Sequence, residues 1–139
     1  DVAIFLHGYP YNHNEHIIDE VASFVRLVQQ RDVLPPMDFV HLNTQSISER
    51  CVTFDNDSLI YKSVFRWGEG CFRPVYCCGQ FMVTRAALQR IERKAYKELA
   101  ALAMQYQNCA VLEHTWHALF RAQNHFNGVT IGELLRIIQ

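Results

Sequence analysis

Two apolar runs punctuate the chain. Val2–Leu6 is continuous and ends at His7-Gly8-Tyr9-Pro10. A run too short for a helix and apolar at consecutive positions predicts a strand buried on both faces, as in a parallel sheet under helices. Val75–Val83 is the second run, and Gly79 interrupts it; a glycine there predicts a bulge or the close approach of another group. Between the runs, Ile17, Ile18, Val21, Phe24, Val25 and Val28 recur at helical spacing. They predict an amphipathic helix over 15–31, with Asn14 as its N-cap and Leu34-Pro35-Pro36 as its stop. Phe39–Leu42 reads as a short strand and Asn43–Arg50 as a polar connection. A small strand is expected at Val52–Phe54, then a short helix from Asp57 or Ser58 through Trp67, ended by Gly68 and Gly70.

After the second run, Thr84 has the hydroxyl to cap a helix over 85–107, with a break near Lys94. Another helix covers 111–122, and 124–128 turn. Thr130-Ile131-Gly132-Glu133 has the spacing of a capping box, in which hydroxyl and carboxylate each satisfy the other residue's amide, so a last helix is expected over 131–138. Strands alternating with helices argue for an α/β fold, a sheet flanked by helices. Ligands in such sheets sit beyond the carboxyl ends of strands. That places interest on His7 to His16 and on the helix start near Glu113.

Composition narrows the classes. The 139 residues carry a formal charge of −1, which offers no electrostatic footing for nucleic acid. No apolar run approaches the roughly 18 residues of a membrane span. No internal repeat or low-complexity tract is present. The start at Asp1, inside a predicted strand, reads as a processed or excerpted chain, so both the secretory-pathway lumen and the cytoplasm stay open. Five cysteines, Cys51, Cys71, Cys77, Cys78 and Cys109, leave at least one thiol unpaired within the chain. Cys77 and Cys78 are adjacent and would point to opposite faces of a strand. Buried small hydrophobes are the expectation, and a Cys51–Cys71 disulfide in an oxidising compartment is the alternative.

Two constellations carry candidate chemistry. His7, His13 and His16 crowd the loop after the first run. They are metal or ligand contacts, or polar loop residues bonded to backbone. In Glu113-His114-Thr115-Trp116-His117, helical spacing puts Glu113, His114 and His117 toward one face beside the apolar stripe of Leu112, Trp116, Leu119 and Phe120, where they are ligand contacts or a Glu–His surface pair. The order Glu-His-x-x-His is not that of a zinc-protease helix. Glycine-rich phosphate loops and the Gly-x-Ser-x-Gly nucleophile elbow are absent.

Phe5-Leu6-His7-Gly8-Tyr9-Pro10 with His13, Cys77-Cys78-Gly79-Gln80-Phe81-Met82-Val83-Thr84-Arg85, and Leu112-Glu113-His114-Thr115-Trp116-His117-Ala118-Leu119-Phe120 together resemble a glycosyltransferase-like family catalogued as domain of unknown function 3431. The aromatic segment Tyr61–Trp67 fits it as well. The resemblance implies the later half of a GT-A-type (nucleotide-diphospho-sugar transferase) fold over 1–121, without its N-terminal nucleotide-binding strands, and a helical extension over 122–139. It implies sugar transfer from a nucleotide donor to a glycan or other hydroxyl acceptor. His7-Gly8-Tyr9 stands where the family fold carries its metal motif, Gly79 to Arg85 where it carries the acceptor strand and helix, and Glu113 where it carries the general base. The expected catalytic residues are then Glu113 and His117. The expected substrate contacts are His7, Gly8, Tyr9, His13, Gln80, Arg85 and Trp116. The metal ligands would be His7, His13 and His117, with Mn²⁺ or Mg²⁺ only where the donor site is intact. Two alternatives stand beside transfer. One is a non-catalytic accessory subunit that docks a protein partner through a sheet edge at Val2–Leu6 and through the apolar helix Ile131–Ile138. The other is a glycan- or nucleotide-binding module.

Overall fold

The computed structural model describes residues 1–35, 37–44, 46–48, 75, 76, 79–106, 116, 119, 120 and 130–138. Outside them lie the expected strand at Val52–Phe54, the aromatic helix ending at Trp67, all five cysteines, Glu113 and His117.

The centre of the molecule is a three-stranded sheet in the order β1 (Val2–Phe5), β5 (Phe81–Thr84), β2 (Phe39–His41). Both outer strands run antiparallel to β5. β3 (Ser46–Ser48) and β4 (Val75–Tyr76) form a separate antiparallel pair. The second apolar run is thus divided near Gly79 between two sheets.

The expectation of a parallel, doubly buried first strand is corrected here. β1 lies at an edge of the three-stranded sheet, with Ile4, Phe5 and Leu6 exposed. The doubly buried strand is β5, whose four residues are all buried. Its alternating side chains serve two cores. Met82 joins an aliphatic cluster with Ile17, Phe24, Val40, Leu42, Ile131 and Leu134. Phe81 and Val83 join Phe39, Ala87, Leu99, Leu119 and Phe120 on the opposite face, with Trp116 packed against them. The aromatic members stack: Phe81 lies 5.1 Å from Phe39 and 5.4 Å from Trp116, and Trp116 lies 6.0 Å from Phe120.

Helix α1 (Ile17–Arg31) covers the aliphatic face. Asn14 is not its cap residue, as the sequence suggested; His16 occupies that position and makes no side-chain cap bond. Asn14 serves the preceding turn instead, accepting from the His16 amide at 3.0 Å through Oδ1. Its Nδ2 donates to Glu20 Oε2 at 2.7 Å and to Leu42 O at 2.8 Å, tying loop, helix and strand together. α1 ends at Asp32 in the left-handed region (φ 53°), a conformation Asp tolerates better than most residues.

Thr84 caps α2 (Arg85–Gln89) by accepting from Ala87 N at 3.2 Å. The helix expected over 85–107 with a break near Lys94 is two helices, α2 and α3 (Arg93–Tyr106). The break falls at Arg90–Glu92, where Arg90 turns back to Asp38 Oδ1 (3.0 Å) and to Phe120 O (3.2 Å). Tyr96 spans the break by donating to Leu88 O at 3.0 Å, and burial pushes its phenol pKa up.

The last helix, α4 (Ile131–Ile138), starts with the capping box read from the sequence. Glu133 Oε2 accepts from Thr130 N at 2.7 Å, and Thr130 Oγ1 accepts from Glu133 N at 3.3 Å. The apolar face that one reading reserved for a partner is largely used within the chain. Ile131, Leu134 and Leu135 are buried in the aliphatic core, while Ile137 stays exposed. Gly132 allows α4 to approach α1 closely: a Cβ there would fall 2.9 Å from Glu20 Oε1. Among the described residues, no helix is long and apolar enough to cross a membrane.

Candidate functional site

Strand register determines what meets at one end of the sheet. Phe5 and His41 are both paired with Phe81, so β1 and β2 leave the sheet at the same end, one on each side of β5, while β5 enters there. The residues just past that line are His7 after β1, Asn43 after β2, and Gly79-Gln80 before β5.

Gln80 is fully buried and holds these exits together. Its Oε1 accepts from His7 N at 3.2 Å. Its Nε2 donates to Pro10 O at 3.0 Å and to Asn43 Oδ1 at 2.7 Å. The Gln80 carbonyl accepts from Leu42 N at 3.1 Å. A second tie runs from β2 to the same loop: Thr44 donates to His13 O through its amide (3.3 Å) and its hydroxyl (3.2 Å). The loop His7–Asn14, with one 3₁₀ turn at Pro10–Asn12, is therefore fastened at four of its residues, His7, Pro10, His13 and Asn14.

The expected substrate contacts divide by position. His7 and His13 are neighbours, their rings edge to face at 6.4 Å. Gly8 and Tyr9 are exposed on the same loop, with the Tyr9 ring against Tyr11 at 5.7 Å. Trp116 reaches this end from the aromatic face. A Cβ built on Gly79 would lie 3.6 Å from Trp116 Nε1 and 3.9 Å from His7 Nε2. So His7, His13, Gln80 and Trp116 come together, with Gly8 and Tyr9 at the rim. Arg85 does not join them. It follows the far end of β5 and pairs with Asp1 Oδ2 at 2.9 Å. Five residues of extended chain put it roughly 15 Å along the strand from Gln80.

The expected metal set is His7, His13 and His117, of which only the first two are described. Among the described residues, no group of three His, Cys, Asp or Glu side chains could hold a metal ion. Mn²⁺ and Mg²⁺ prefer carboxylate and water oxygens, and the described donors here are imidazoles and an indole N–H, which can only donate. The described part of the site does not fit a hard cation.

Asn43 was missed as a site residue, because it reads as the start of a polar connection. Its signal is positional: it follows β2 as His7 follows β1. Gly79 was legible only as a breach in an apolar run.

A family model described as protein of unknown function (DUF3431) matches residues 1–129, so the chain belongs to that family. No curated protein and no solved structure matches the chain.

Proposed function

Taking membership of that family as the premise, we propose that the chain is a glycosyltransferase-like domain of the GT-A kind. It seats a nucleotide sugar and a hydroxyl acceptor at the sheet end where β1 and β2 exit. The observation that carries this reading is the meeting of three stretches far apart in sequence: His7 Nε2 and Trp116 Nε1 both lie within 4 Å of where a Cβ on Gly79 would be, and Gln80 fastens the His7 loop. Glu113 stands three residues before Trp116 in the sequence. It serves as the general base. Its carboxylate takes the proton of the acceptor hydroxyl as the new glycosidic bond forms and the nucleoside diphosphate leaves. His117 stands next to Trp116 and supports the same step by contacting the acceptor.

Thermal unfolding with UDP- and GDP-glucose, with and without Mn²⁺, tests donor binding. A raised midpoint that grows with ligand concentration is expected. No shift at millimolar donor would remove the reading. Glu113→Gln should keep the donor-induced shift and lose turnover by about a hundredfold or more, as for removal of a general base.

A further inference from the structure

We propose that the outer edge of β1 is an interface at which two copies of this chain join their sheets, β1 pairing antiparallel with β1 of the second copy about a two-fold axis at Ile4. This goes beyond the reading above and does not rest on it.

The sheet has two edges. β2 is buried at all three of its residues, and Thr130 bridges to His41 beside it. β1 stands at the other edge, with Ile4 38 %, Phe5 44 % and Leu6 43 % exposed. The bonds at its two ends give the direction of its backbone groups. Arg85 N donates to Asp1 O and His7 N donates to Gln80 Oε1, so the odd-numbered residues turn toward β5. Direction alternates along an antiparallel ladder, so Val2, Ile4 and Leu6 turn their N–H and C=O groups outward. Among the described residues, no strand pairs with that edge. Proteins that keep an edge bare blunt it with charge, proline or a bulge. Val2–Leu6 holds no charged residue and no proline, and its register with β5 runs without a shift.

The edge is complementary to itself in one register. Outward groups pair only with outward groups, and setting Ile4 opposite Ile4 engages all three residues, with Val2 opposite Leu6 of the second copy. On the aromatic side this sets the small Ala3 opposite the large Phe5. Ala3 packs on the aromatic cluster and Phe5 stacks on Phe81 at 4.7 Å, so that layer continues across both copies. Val2 packs on the aliphatic cluster and continues the other layer. Asp1 comes opposite the second copy's His7, a carboxylate facing an imidazole at each end of the join. Asp1 holds Arg85 through Oδ2, and a carboxylate has capacity for a further donor. A shift to the next allowed register on one side sets Asp1 against Phe5, and on the other sets His7 against Ala3. Each loses the charge match. The join is isologous and closes after two copies, giving one sheet in the order β2–β5–β1–β1–β5–β2. That closure favours a second copy over an unrelated strand.

Sedimentation equilibrium and amide hydrogen exchange on the 139-residue chain test the join. The wild type should be a reversible dimer at sub-millimolar concentration, with the Ile4 and Leu6 amides gaining protection as the dimer fills. Ile4→Lys sets like charges opposite each other at the axis and should weaken dimerisation by about a hundredfold or more. Val25→Lys, at a position on α1 that is also 38 % exposed, should dimerise as the wild type does. Circular dichroism checks that both variants are folded. A wild type that sediments as a single chain would overturn the proposal, and so would undiminished dimerisation of folded Ile4→Lys or loss of the dimer in Val25→Lys. A wild-type dimer whose Ile4 and Leu6 amides exchange as fast as in the dilute chain would place the contact elsewhere and overturn it as well. That last measurement needs no variant, so it decides the matter even where Ile4→Lys fails to fold.

Discussion

The two ends of β5 use polar groups for different ends. At the Thr84 end, the groups are spent on structure. Thr84 N donates to Asp38 O and Arg85 N to Asp1 O, each at 3.0 Å. The Thr84 hydroxyl caps α2, Arg85 pairs with Asp1, and Arg90 joins Asp38 to Phe120 O. At the Gln80 end, one buried amide absorbs three partners from two chain exits. An indole and an imidazole nitrogen lie close by, 3.6 Å and 3.9 Å from where a Cβ on Gly79 would be. The Thr84 end closes its hydrogen bonds upon itself, whereas the Gln80 end is held by a few buried bonds around the loop at which we propose that a ligand binds.

The largest effect should come from breaking the Gln80 hub. Gln80→Leu keeps approximate volume but removes the bonds that Gln80 makes to His7 N, Pro10 O and Asn43 Oδ1. Buried polar groups cost about 1–3 kcal/mol each when left unmade, and access of water to the loop reduces the sum, so a loss of about 3 kcal/mol is expected. Gln80→Glu should be no better. It keeps the acceptor for His7 N but turns the donors toward Pro10 O and Asn43 Oδ1 into acceptors. Urea unfolding reads the loss, and hydrogen exchange at Tyr11 and Asn12 should show a loosened loop. A Gln80→Leu midpoint within error of the wild type would erase the contrast between the two ends.

Much of the scaffold end could be read in advance, and little of the site end. The Thr84 cap and the Thr130–Glu133 box were legible because both partners lie within three residues. The body of α1 was legible from its apolar period, and the breach at Gly79 from composition. Strand direction was not: an apolar run records that a strand is covered, not which way its neighbours run. For the same reason the apolar face of α4 looked available for a partner while α1 and β2 cover it in the fold. Gln80 was legible as part of a motif. Its bonds were not, because they reach 37, 70 and 73 residues along the chain. The same distance hid Asn14, whose partner Leu42 O is 28 residues away. Arg85 was grouped with the site by adjacency in the motif, and one strand length separates it from Gln80.

Arg90→Met sharpens the comparison from the scaffold side. Asp38 is buried, and Arg90→Met removes the guanidinium that pairs with its carboxylate. Removing one member of a buried pair costs about 3–5 kcal/mol. Arg90 itself is half exposed, so screening lowers the expected loss to about 2 kcal/mol. Arg90 also grips Phe120 O, one helical turn beyond Trp116. The near-ultraviolet signal of the aromatic stack should therefore weaken in this variant while α-helix content holds. A stable protein with an unchanged aromatic signal would show that the scaffold end does not position the indole.

Thr84→Val is the smallest of the three and isolates a single scaffold bond. The substitution preserves the β-branched shape in a buried strand residue and removes only the acceptor for Ala87 N. Loss of an N-cap side chain costs about 1 kcal/mol, which for a chain of this length lowers the thermal midpoint by about 4 °C. Its value lies in what should stay constant. Thr84 and the His7 loop fastened by Gln80 are at opposite ends of a four-residue strand, and effects at separated sites with no shared partner add. The double variant Thr84→Val/His7→Ala should thus show the stability loss of the first and the loss of UDP-glucose affinity of the second, with no interaction between them. A measurable coupling in affinity would mean that β5 transmits strain from its capped end to the site, and the division of labour along the strand would have to be abandoned.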